Sequence, residues 1–194
     1  MRGVEPAFLD FVRLVVAGDV DDVARRLAAR PPLAAASLEV GATRQEASTF
    51  FLTDIAHYVY VGDTALHIAA AAFRRQVAEL LIAKGADCRA KNRRGAEPLH
   101  YAADANHWNP TAQAEVIEYL ASVGADPDAL DGSGVAPLHR AVRTRSLSAV
   151  RALLDTGANP TQPNRTGVEI RRGCLTHAPD GAMASGAPPV MRGR

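Results

Sequence analysis

Three histidines, His67, His100 and His139, are the residues of this chain whose type best suits catalysis or metal binding, and they recur at intervals of 33 and 39 residues. A neutral imidazole can serve as a base or a metal ligand. Equivalent positions of stacked repeats, however, lie about 10 Å apart, the spacing of packed helices, whereas zinc holds each nitrogen at ~2.0–2.1 Å. The three cannot share one ion, and structural hydrogen bonding is their expected role. Cys174 and His177 stand three apart, but in a Gly/Pro/Ala-rich tail that offers no shell to fix a nucleophile against a base. The carboxylates form no facing pair for acid/base work. Gly132-Ser133-Gly134 lacks the Lys-Ser/Thr and the strand-to-helix setting of a phosphate loop. The expectation is a chain without enzymatic activity, cofactor, metal site or small-molecule substrate.

Composition narrows the class further. The chain has 194 residues, 47% hydrophobic but only 5% aromatic, and 38 are Ala, so its interior must be built from small and aliphatic side chains, which favours closely packed helices. Twenty-two basic and 21 acidic residues leave a net charge of +1, which removes the global electrostatic case for nucleic acid or anionic membrane. Two cysteines exclude a disulfide scaffold and a four-cysteine zinc site, and fit the reducing cytoplasm. No apolar run approaches the ~20 residues of a membrane span, and the N-terminus lacks the pattern of a secretory signal. A soluble cytoplasmic protein is expected.

The elements that would position these residues repeat along the chain. Gly62-Asp63-Thr64-Ala65-Leu66-His67 recurs as Gly95-Ala96-Glu97-Pro98-Leu99-His100 and Gly134-Val135-Ala136-Pro137-Leu138-His139. Each copy is followed by an apolar helical stretch and then by Gly85-Ala86-Asp87, Gly124-Ala125-Asp126 or Gly157-Ala158-Asn159. The spacings place a six-residue insertion, around Trp108, inside the second copy. Thr64 is an N-cap type, and Pro98 and Pro137 suit the first helical position. The later Gly in each copy ends the second helix in a left-handed cap. Helix pairs this short cannot cover their own apolar faces, so neighbouring copies must stack.

These residues resemble the ankyrin repeat family: a unit of about 33 residues carrying Thr-Pro-Leu-His-x-Ala and a Gly-Ala-Asp/Asn turn. The resemblance implies an all-α solenoid of helix-turn-helix repeats joined by short hairpins and turns. It also implies protein binding through the concave face and the turn tips. The capping Thr is kept only at Thr64 and replaced by Glu97 and Ala136, a loss of roughly 0.5–2 kcal/mol per cap. Residues 6–33 are expected as a degenerate capping repeat, 34–58 as an insertion forming a short helix and an extended arm, and 59–91, 92–130 and 131–163 as clear repeats. A partial repeat at 164–172 completes a domain over 1–172, and 173–194 is expected to be a disordered tail. The break after Gly167 suggests a longer array shortened or altered there, with Ala149, Leu153 and Leu154 partly uncovered.

The remaining working part is surface. Tyr58, Tyr60, Lys91, Arg93, Arg94 and Arg165 fall at turn tips, and Tyr101, Arg140 and Arg143 at outward positions of first helices. Trp108 either anchors a partner or folds back on its own repeat. From Gly134 to Gly173 seven arginines face only Asp155 and Glu169, which points to a protein partner with an acidic surface, or else to a solvated basic face. Nucleic-acid binding through this basic half, or an accessory role beside an enzyme, are the alternatives.

Overall fold

Phe8, Phe11, Val12 and Val15 recur at helical spacing and lie buried along α1 (Glu5–Ala17). After the Gly18 turn, Asp19 caps α2 (Val20–Ala29), accepting the Asp22 N–H at 2.9 Å. Only Val23 and Leu27 of α2 are buried, so this first pair has a wet outer side, as an end repeat needs. Pro31 and Pro32 open a 3-10 turn, Pro31–Ala34, directly after the helix. The computed structural model describes residues 5–43, 48–104 and 109–164. The expected partial repeat beyond 164 and the tail at 173–194 lie outside these.

The insertion differs from expectation. Its arm is present, but in place of an α-helix it makes 3-10 turns at Ser48–Phe50 and Thr53–Ile55 and an antiparallel pair of short strands, β1 (Phe51–Leu52) and β2 (His57–Tyr58). Burial along it has the two-residue period of extended chain: Ile55, His57 and Val59 are buried while Ala56 and Tyr58 are exposed. A second extended segment lies alongside. The Leu38 N–H donates to the Asp63 carbonyl at 2.9 Å, the Gly62 N–H to Leu38 at 2.8 Å, and the Ala42 N–H to Val59 at 2.7 Å.

Three helix pairs follow: α3 (Ala65–Ala71) with α4 (Arg75–Ala83), α5 (Pro98–Ala102) with α6 (Pro110–Ser122), and α7 (Pro137–Arg143) with α8 (Leu147–Asp155). Gly85, Gly124 and Gly157 end the second helices at φ 93°, 102° and 99°, conformations that cost an L side chain dearly. First helices pack in the order α1, α3, α5, α7 and second helices in the order α2, α4, α6, α8, giving two layers of one all-α solenoid. Ala65, Ala69, Ala70, Ala102, Ala103 and Ala141 are wholly buried between them, which lets the backbones approach closely. Part of the six-residue insertion lengthens α6 at its start, and Trp108 lies outside the described residues. Of the flank expected to be partly uncovered, Leu154 is half-buried, but Ala149 and Leu153 are fully buried, because they face inward along the α6–α8 and α7–α8 contacts.

Gly41 sets the closeness of the arm. A β-carbon there would stand 2.5 Å from the Tyr60 carbonyl carbon and the Val61 nitrogen, both rigid backbone. Gly41→Ala should therefore force the segments apart and lower stability by about 2 kcal/mol or more. Gly85→Ala, which meets no atom within 4 Å, should cost about 1 kcal/mol through its φ alone. Urea unfolding of the two variants tests the difference.

Candidate functional site

The repeated histidines are consumed by the scaffold. His67 Nδ1 accepts the Thr64 N–H at 3.2 Å and its Nε2 lies 3.0 Å from the Ala96 carbonyl in the next repeat. His100 repeats this, with the Glu97 N–H at 3.1 Å and the Val135 carbonyl at 3.1 Å. An Nδ1 that accepts leaves the proton on Nε2, which donates across the repeat boundary. His139 Nδ1 accepts the Ala136 N–H at 3.1 Å. Its Nε2 is buried too, and the group beside this ring is the Gln162 backbone rather than a carbonyl of a following first-helix turn. Glu97 and Ala136 make no side-chain cap bond, so at those helices the histidine ring alone serves the N-terminus.

Polar chemistry gathers instead where the arm meets the first helices. Asp63, wholly buried, accepts the Tyr60 N–H at 2.6 Å, the Asn92 side-chain amide at 2.8 Å and the Tyr101 hydroxyl at 2.8 and 3.0 Å. Asn92 Oδ1 in turn accepts the N–H groups of Arg94 and Ala96. Asp131, 39 residues on, does the same for Ser133 and Val135. Burial, then the Asp63 charge, pushes the Tyr101 hydroxyl pKa well up, so it stays a donor. His57 packs edge-on to Tyr101 with centroids 4.6 Å apart. Burial drives its pKa down to about 4, Asp63 opposing and Arg140 assisting.

Arg140 is buried with them, its guanidinium 2.8 Å from Asp104 and 2.7 Å from Asp131. Burial works against its charge, but the two carboxylates outweigh it and raise its pKa above the ordinary value. Asp131 is shielded too, yet the Arg140 and backbone bonds hold its pKa low. Arg143 adds a 3.4 Å contact to Asp104. A cavity of about 200 Å³ opens between these groups, lined by His57, Tyr58, Tyr60, Arg94, Tyr101, Asp104 and Arg140 among others. A second hollow of about 510 Å³ lies by the Gly18 and Phe73 turns. There Arg75 is paired with Glu79 at 2.8 Å and Arg74 donates to the Val16 carbonyl at 2.9 Å.

Five expected surface residues, Tyr58, Tyr60, Arg94, Tyr101 and Arg140, thus surround one cavity. Two of them need correction: Tyr101 is 2% and Arg140 8% exposed, because the arm and the loop carboxylates close over the helix face that would otherwise point outward. Lys91 and Arg93 are exposed, Lys91 reaching to within 3.7 Å of the buried Glu97. Trp108 and Arg165 lie outside the described residues. Sequence reasoning missed His57, Asp63, Asn92 and Asp131. The 39-residue interval between Asn92 and Asp131, equal to that of the second and third histidines, was the available signal. Among the described residues no cluster of His, Cys, Asp or Glu could hold a metal ion, and no helix is long and apolar enough to cross a membrane.

Two family models match. One described as ankyrin repeats in three copies covers residues 33–131, and one described as ankyrin repeat covers residues 133–165. No curated protein matches the chain.

The depressed histidines give a pH dependence with a definite sign. His57 and His100 stay neutral in the fold down to about 4, whereas histidine in the unfolded chain titrates near ~6.5. Between these values the unfolded chain binds protons that the folded chain refuses, so stability present above pH 6.5 is lost as pH falls toward 4. The loss is about 1.4 kcal/mol per pH unit for each histidine. Urea unfolding at pH 7 and pH 5 should show a smaller pH effect in His57→Gln than in the wild type. Equal slopes would mean that His57 is not protected.

Proposed function

Because this chain belongs to the ankyrin repeat family, whose repeats generally serve protein–protein interaction, we propose that it is a non-enzymatic binding module. Its contact surface is the rim of the arm and the neighbouring repeat turn: Tyr58, Tyr60, Lys91, Arg93 and Arg94. One observation carries this reading. Tyr58 is 40% exposed and Arg94 lies over the Tyr60 ring at 4.8 Å, so aromatic area and positive charge meet beside a cavity. Tyr and Arg are the types on which interface affinity concentrates, and the positive charge suits a partner with an acidic surface.

The basic C-terminal half supports nucleic-acid binding less well. Arg140 is buried between Asp104 and Asp131, and Arg143 touches Asp104, so part of this half's positive charge is already paired. Affinity capture from lysate with the wild type and with a Lys91/Arg93/Arg94→Ala variant tests the assignment. The captured protein should fall by about tenfold or more in the variant at unchanged helical content. Equal capture by both would place the contact surface elsewhere.

A further inference from the structure

We propose that the cavity beside Tyr60 and Arg94 is a receptor for a single carboxylate side chain, glutamate or aspartate, of the protein partner; this rests on the binding-module reading above. Size is the first argument. About 200 Å³ is below the roughly 300–1,000 Å³ of small-molecule pockets, and equals the room of only six or seven waters at ~30 Å³ each. It is space for one side chain.

Charge is the second. The ionic groups on its wall are Arg94, Arg140 and Asp104, with Asp63 and Asp131 directly behind it on Tyr101 and Arg140. Arg140 spends its guanidinium on Asp104 and Asp131 at 2.8 and 2.7 Å, and Asp104 takes Arg143 on its other oxygen at 3.4 Å. These three are therefore satisfied. Arg94, by contrast, forms no ion pair with any described residue, and its guanidinium rests on the face of the Tyr60 ring. No side-chain donor of Arg94 is bonded to a described carboxylate, and a guanidinium is the group that can take a carboxylate two-pronged.

The third argument is rigidity. The Tyr60 N–H is fixed by Asp63 and the Arg94 N–H by Asn92, while Asn92 itself donates to Asp63. Platform and fork thus hang from one buried network, so little ordering is required when a ligand enters. Tyr58 and Tyr60 wall the cavity on its arm side.

Isotope-labelled protein titrated with acetyl-glycyl-glutamyl-glycine amide, its glutaminyl counterpart and its phosphoseryl counterpart tests this by NMR. The glutamyl peptide should shift the Arg94 Nε–H and Tyr60 ring signals saturably. Its affinity should fall about tenfold in Arg94→Gln and in Tyr60→Leu but by less than about twofold in Arg26→Gln, an exposed arginine of α2 away from the cavity, each variant keeping the wild-type urea midpoint to show that it folds. Equal binding of the glutaminyl peptide, binding of the phosphoseryl peptide alone, or indifference to Arg94→Gln would overturn the proposal. Partner capture that is lost in the Lys91/Arg93/Arg94→Ala variant yet survives Arg94→Gln would leave the module standing and remove only this receptor.

Discussion

Each first helix begins with a ring that must serve two repeats at once. The Nδ1 of His67 and of His100 takes an N–H that helix geometry leaves without a partner, and the Nε2 then has only one way to be satisfied, a carbonyl of the following repeat. Both nitrogens are buried, where an unmade bond costs roughly 1–3 kcal/mol. That penalty couples the repeats: a hairpin of seven- and nine-residue helices is too short to persist alone, and the ring ties its entry point to its neighbour's turn. The alanine layer can close only because this link and the glycine turns fix the spacing. A stack so assembled fills its interior with apolar side chains and brings its polar groups together where the arm meets the first helices.

The arm changes which part of that surface is available. By pairing with residues 38–42 and placing His57 against Tyr101, it roofs the middle first helices that a bare stack would present. Asp63 makes the roof possible, since it sits at the turn before α3 and accepts from the arm, from the next turn and from α5 together. What stays exposed is the edge where arm and turn meet. Aromatic rings and an uncompensated guanidinium are held there by backbone bonded to the same buried carboxylate. The site is therefore small and carries both signs of charge, with Arg94 the cation on its wall that has no carboxylate partner among the described residues.

The repeat features were legible because they are local. Thr64, Pro98 and Pro137 mark helix entry and Gly85, Gly124 and Gly157 mark helix exit through backbone constraints that act within a few residues, so register followed from spacing alone. The spacing of the histidines excluded a shared ion, while their link between helix start and neighbouring backbone was what the family resemblance implied. Tyr101 and Arg140 were misread as outward because their burial depends on His57, 44 and 83 residues earlier in the chain, and on loop carboxylates, contacts that no periodicity encodes. Asp63, in Gly-Asp-Thr, looks like any turn residue until three donors converge on it. In the arm, Ile55, His57 and Val59 are buried and Ala56 and Tyr58 exposed, but these residue types do not alternate in polarity, so the extended course was not legible before the structure.

The claim beneath all of this is that the histidine rings bind in one tautomer and bridge adjacent repeats. Long-range nitrogen–proton NMR of the folded chain at pH 6 measures it directly, ring by ring. His67 and His100 should each show an unprotonated Nδ1 and a protonated Nε2, with no titration near the ordinary histidine value. A proton on Nδ1, or rings that titrate like free imidazole, would show that the repeats are not joined this way and would remove the support on which the contact surface stands.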